Sequence, residues 1–209
     1  MPNAVTALLD DHVAAGDGAR TVIVTPSGHA SYADVLARTC RFGHALRALG
    51  VEPEHRVAIL LPDGVDWAAA FLGVIRIGAV AVPLNTRLAP ERWAAMLADS
   101  RARVVVADDA TVAALAPYLP ALPRLRPITT DAAQTAPDAL AAEPVSDDDM
   151  AFWLYTSGTT GPPRAAPSTS IVTSWPAAAT AKACSASPAT IACSPRRSSS
   201  SRTRWATHC

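Results

Sequence analysis

Lysine is nearly absent from this chain, aromatic residues and cysteines are few, and acidic residues disappear before its end. Lys182 is the only lysine in 209 residues, aromatic residues make up 5%, and there are four cysteines. Cys184, Cys193 and Cys209 match no metal-ligand spacing. Cys40 falls within a helical pattern, where it serves as a small core residue, and a reducing cytoplasm is the expected compartment. The formal net charge is zero, so no global field draws the chain to nucleic acid or to a membrane. No long apolar run is free of charge. The most apolar region, Val57 to Leu84, contains Asp63, Asp66 and Arg76, which argues against a membrane span. The first residues lack a basic stretch and are interrupted by Asp10 and Asp11, so a secretory leader is not expected. His12, His29, His44 and His55 show no ligand spacing and read as surface or packing residues.

What is present reads as an α/β chain of βαβ units with parallel strands. Thr21–Thr25 has strand character, Pro26 to Gly28 is a turn, and Ala30 to Tyr32 returns as a hairpin partner. Ser31 is placed to cap a helix in which Val35, Thr39, Phe42, Leu46 and Leu49 recur at helical spacing, with Gly50 as its stop. The continuous apolar run Arg56 to Leu61 has the character of a strand buried on both faces. A helix over 65–77 and a second buried strand over 79–82 complete a βαβ unit with a right-handed crossover. A helix over 90–98, a strand over 102–107 and a helix near 111–119 continue the theme. Residues 120–148, rich in Ala, Pro and Asp, read as a loose connection in which Asp147 to Asp149 form a solvated turn. Ala151 to Tyr155 is then a strand that runs directly into a loop of small residues.

That loop carries the chemistry. Gly158 and Gly161 let a backbone approach a ligand closely, and successive N–H groups in such a loop form an anion-binding concavity. Thr156, Ser157, Thr159 and Thr160 add hydroxyl groups, and Arg164 adds a permanent cation suited to bidentate contact with phosphate. The spacing is not that of the P-loop NTPases. A solvated linker is the plain alternative; the strand before the loop and the cation after two prolines weigh against it.

Tyr155 to Arg164, Tyr-Thr-Ser-Gly-Thr-Thr-Gly-Pro-Pro-Arg, closely resembles the phosphate-binding signature of the adenylate-forming superfamily of acyl- and aryl-CoA ligases. Arg164 stands where the family usually has Lys, and Ala165 where it has Gly. Ser31 to Leu36 and Arg76 to Asn85 resemble two upstream family motifs, and Asp99 to Arg103 resembles the helix end that leads into the next strand. The resemblance covers roughly residues 5–167 and is strongest toward the benzoate–CoA ligase branch. It implies the first part of the family's large N-terminal domain. It implies ATP and Mg²⁺ as nucleotide and metal, a carboxylic acid as substrate and coenzyme A as co-substrate, with no nucleic-acid or membrane partner. Thr156, Ser157, Gly158, Thr159, Thr160, Gly161 and Arg164 are the implied ATP phosphate ligands; no catalytic or metal-binding residue is assigned.

From Ser168 to Cys209 the character changes. There is no acid, 16 of the 42 residues are Ser or Thr, and five cations are scattered without the interleaved aromatics of a nucleic-acid groove. Lys182 matches no catalytic motif. The composition is that of a disordered tail, and a frameshift is the more specific reading. When each codon's third base is read with the next codon's first two, Ser198 to Ser201 can encode Lys-Leu-Phe-Phe, and one offset gives family-like text along the tail. The family's adenine-contacting motifs, hinge and C-terminal domain have no counterpart here, so residues 1–209 alone are expected to be inactive. A phosphate-binding module without catalysis and a non-enzymatic interaction fragment are the competing readings.

Overall fold

The computed structural model of the protein describes residues 3–26 and 28–155, with the backbone of 191–192. A π-helical turn, Thr6–Asp10, runs into the short helix α1 (Asp11–Ala14). Strands β1 (Thr21–Thr25) and β2 (Gly28–Ser31) form an antiparallel hairpin. Helix α2 (Tyr32–Ala48) begins at the capping box anticipated at Ser31. The Ser31 hydroxyl accepts from the Asp34 N–H at 3.2 Å, and the Ser31 N–H donates back to the Asp34 carboxylate at 3.0 Å. The Ser31 N–H, together with the Ser31 hydroxyl that donates to Asp34 Oδ2 at 2.7 Å, holds the Asp34 carboxyl below its ordinary value.

Four parallel strands form the central sheet: β3 (Arg56–Leu60), β4 (Val80–Pro83), β5 (Val104–Ala107) and β6 (Arg126–Thr129), in the order β4-β3-β5-β6. Between them come α3 (Val65–Arg76), α4 (Pro90–Ser100) and α5 (Asp109–Leu115), and α6 (Thr130–Gln134) follows β6. β3 is buried on both faces, which is why its sequence is continuously apolar. Val57 and Ile59 join α2 and α3 in one core cluster, while Ala58 and Leu60 join α4 and α5 in the other. Each such Val, Ile or Leu contributes roughly 1.5–3 kcal/mol by burial. Because β4 and β5 flank β3 on opposite sides, α3 and α4 must lie on opposite faces for both crossovers to keep one hand. Outside this sheet, the backbone of Ile191–Ala192 (β7) pairs in parallel with Ile23 and Val24.

Helices α2 and α3 stop where the sequence provides left-handed glycines. Gly50 and Gly78 have φ of 79° and 73°. At α3, Gly78 N–H donates to the Ile75 carbonyl and Ala79 N–H to the Val74 carbonyl, which is the Schellman arrangement.

The structure departs from the sequence expectations in four places. Residues 6–14 are helical, a segment for which no element was anticipated. The reading of 120–148 as a loose connection is corrected, because β6 and α6 lie within it. Pro127 obscured β6 but is tolerated there, since β6 is the outermost strand of the sheet among the described residues and an N–H at residue 127 is not needed for the β5 pairing. The helix over 111–119 begins earlier, capped by Asp108, and beyond Leu115 tightens into a 3₁₀ turn over Ala116–Ala121. Pro117 and Pro120 remove the N–H groups a continuing α-helix would use. Finally, Ala151–Tyr155 pairs through a single parallel bridge, Phe152 to Ala81, rather than as a full strand.

Candidate functional site

The segment that delivers the loop is held from three directions. Its backbone joins the free side of β4: Ala81 N–H donates to the Ala151 carbonyl at 3.1 Å, and Trp153 N–H donates to the Ala81 carbonyl at 2.8 Å. Since all four strands are parallel and this segment runs with them, Tyr155 leaves the sheet at its carboxyl edge. That edge is where open α/β sheets bind ligands.

Successive side chains take opposite faces. Phe152 tilts against Phe71 at 5.7 Å, and Phe71 stacks on Trp67 at 5.3 Å, on the side of α3. Trp153 and Tyr155 stack on each other at 5.7 Å on the side of α4. Among the described residues the Trp153 indole N–H is buried without a hydrogen-bond partner.

The third hold is polar. The Tyr155 hydroxyl donates to Asp99 Oδ2 at 2.6 Å, with the Met96 carbonyl as a second acceptor at 3.3 Å. Burial, reinforced by the Asp99 carboxylate, pushes the Tyr155 phenol well above its ordinary range, so it remains a donor at any physiological pH. Helix α4 is itself fixed to the sheet. Trp93 Nε1 donates to the Asn85 carbonyl at 3.0 Å, and Arg56 Nε donates to the Ser100 carbonyl at 2.9 Å.

Thr156, Ser157, Gly158, Thr159, Thr160, Gly161 and Arg164 lie outside the described residues, as does Lys182. Only the entry to the loop is therefore in view. The described histidines behave as packing and surface groups. His12 stacks on Tyr32 at 4.5 Å, His44 Nε2 lies 2.9 Å from the Ala139 carbonyl, and His55 Nδ1 accepts from the Glu52 N–H. Asp149 accepts from the Ser146 N–H within the turn anticipated there. Cys40 is buried and forms no disulfide, its thiol pushed up by burial. Among the described residues no group of three His, Cys, Asp or Glu is placed to hold a metal ion, and no helix is long and apolar enough to cross a membrane.

Two features escape a reading of the sequence. Asp99 belongs to a recognisable motif but has no role legible there, because its partner lies 56 residues away. The second is Arg76, 4% exposed, which makes a two-pronged contact with Asp10 at 2.8 Å and donates from Nε to the Leu140 carbonyl at 2.7 Å. An arginine inside the most apolar stretch of the chain was the available signal.

The sheet is doubly wound and parallel, and its carboxyl edge, where such sheets bind ligands, leads into the glycine- and threonine-rich stretch of the sequence. The family model described as AMP-binding enzyme matches residues 10–195, a span that takes in the loop and continues beyond residue 167. The chain belongs to that family. It is 36% identical over 174 residues to the benzoate–CoA ligase of Thauera aromatica, covering 78% of this chain and 33% of that one. It is 38% identical over 174 residues to the 4-hydroxybenzoate–CoA/benzoate–CoA ligase of Rhodopseudomonas palustris, covering 78% and 32%. Among solved structures, the anthranilate CoA ligase AuaEII in complex with anthranoyl-AMP superposes with a TM-score of 0.71 at 28% identity, covering 77% of this chain and 32% of that one. ATP-bound MatB from Rhodopseudomonas palustris superposes with a TM-score of 0.68 at 30% identity, covering 77% and 33%. The chain thus spans about a third of the length of the relatives it matches.

Proposed function

We propose that the chain is the phosphate-binding part of an ATP-dependent aryl-CoA ligase of the benzoate type. The single observation that supports this most is the parallel bridge of Phe152 to Ala81, which brings the entry of the loop to the carboxyl edge of the sheet. In this reading the backbone N–H groups from Thr156 to Gly161, the hydroxyls of Thr156, Ser157, Thr159 and Thr160, and the Arg164 guanidinium hold the β- and γ-phosphates of ATP. Mg²⁺, when bound, supplies further neutralisation of the phosphate charge. The reaction of the complete ligase has two transfers. A carboxylate oxygen attacks the α-phosphorus, and pyrophosphate leaves with the electron pair of the broken bond. The thiol sulfur of coenzyme A, giving up its proton to solvent, then attacks the acyl carbon, and AMP leaves with the electron pair of the broken carbon–oxygen bond. The loop contributes positioning and electrostatics rather than covalent chemistry.

Residues 1–209 alone, in this reading, bind nucleotide phosphate without completing the first transfer, since two thirds of the relatives' length has no counterpart in the match. Calorimetric titration of the 209-residue chain with MgATP tests the site. The wild type should bind, and Arg164→Ala should weaken binding by about tenfold, the worth of one charge-assisted contact. Equal binding by both proteins would remove Arg164 from the site, and no binding by either would reject the loop as a phosphate holder. Benzoate-dependent exchange of pyrophosphate into ATP by this chain would overturn the assignment of inactivity.

A further inference from the structure

The carboxylate of Asp99 sits in a place that ordinary helix energetics disfavour. Asp99 is next to the last residue of α4, where the exposed carbonyls carry partial negative charge and a cation would be favoured. The last turn of α4 holds no basic residue, and none of the salt bridges among the described residues includes Asp99. Its hydrogen-bond partner is the Tyr155 hydroxyl, at 2.6 Å, the side chain immediately before the loop. The Met96 carbonyl, one turn earlier on the same helix, accepts from the same hydroxyl at 3.3 Å. A local rule broken in favour of one long-range contact marks a residue kept for what it positions.

We propose that Asp99 is a positioning residue for the phosphate loop: together with the Met96 carbonyl it clamps the Tyr155 hydroxyl, and so fixes the point and direction at which the loop leaves the sheet. The proposal rests on the phosphate-loop reading only for what the loop holds; the clamp itself is a property of α4 and Tyr155. It also gives the aromatic stack a purpose. Trp153 against Tyr155 sets the plane of the phenol ring, and Asp99 sets the position of its oxygen.

Trypsin cleavage after Arg164 reports on the loop whether or not nucleotide binds. The 209-residue chain is digested briefly, and cleavage after Arg164 is compared with cleavage after Arg47 and Arg76, which lie in folded helices. Tyr155→Phe and Asp99→Ala should each raise the rate after Arg164 by about tenfold, as expected for loss of a hydrogen bond to a charged group, and leave the helical sites unchanged. The double variant should do no more than either single one, because both remove the same contact. Tyr118→Phe is the matched control. It deletes an exposed phenol–carboxylate bond to Glu91 on the same helix, 2.7 Å long, and should leave cleavage after Arg164 unaltered. Wild-type rates in both single variants, additive effects in the double variant, or acceleration at the helical sites to the same extent would each overturn the proposal. If the variants behave as expected but MgATP gives no protection at Arg164 in the wild type, the clamp stands and the phosphate reading falls.

Discussion

Arg76 carries the largest electrostatic stake of any single residue in the described fold. Its guanidinium is nearly inaccessible, and its hydrogen bonds to Asp10 hold its charge firmly in place. The pair also ties the N-terminal helical segment to the end of α3, where Asn3 Nδ2 donates to the Ile75 carbonyl at 2.8 Å. A buried cation that loses its partner bears its desolvation cost alone. Asp10→Ala should therefore destabilise the protein by about 3 kcal/mol, the low end for a broken buried pair because the Asp10 side chain is 31% exposed and water can partly replace it. Urea unfolding midpoints measure this. Combining Asp10→Ala with Arg76→Met should recover most of the loss, since the orphaned charge is then gone; a double variant no more stable than Asp10→Ala would show that the charge was not the cause. Neither partner was readable as a pair, for they are 66 residues apart and nothing in their local sequence refers to the other.

At the scale of elements, α2 and α3 pack closely against each other, and the contact depends on Gly73. A Cβ there would stand 2.8 Å from Phe42 Cβ and 2.9 Å from the Thr39 carbonyl oxygen, neither of which lies on a flexible side-chain end. Gly73→Ala is accordingly an overpacking change and should cost about 1–3 kcal/mol in a thermal or urea melt. Gly18→Ala is the comparison. A Cβ there meets its nearest neighbours at 3.7 and 3.8 Å, ordinary contact distances, and the change should stay within about 0.5 kcal/mol of the wild type. If both substitutions cost the same, the close helix contact is not what Gly73 provides. The helices and buried strands themselves were legible, because β3 is apolar on both faces and α2 repeats its apolar residues at helical spacing between a Ser cap and a Gly stop. β6 and α6 were not. Four residues including Pro127 become a strand only because β5 offers them a partner, and no periodicity reveals that.

For the whole molecule, the open matter is the stretch of chain beyond Tyr155. The relatives continue for about twice the matched length, and the chain's own text changes character at Ser168. We propose that this change records a shift of reading frame. Sequencing the DNA around codons 160–210 should find an alternative frame, open throughout, that encodes a continuation similar to the benzoate–CoA ligases. Stop codons inside that frame, or a product unrelated to those ligases, would end the proposal. The family model matches the chain in its present frame as far as residue 195.

The sequence by itself determined the family and the parallel α/β class, because buried strands, capped helices and a motif of glycine, threonine and arginine at fixed spacing can each be read locally. Tertiary structure alone decided how that motif is entered. It placed Phe152 beside Ala81, set Trp153 against Tyr155, and brought Asp99 from a helix end 56 residues away to the Tyr155 hydroxyl. The physical reason is separation along the chain. Burial patterns and caps are periodic or adjacent, whereas a hydrogen bond between distant side chains exists only once the sheet has brought their elements together.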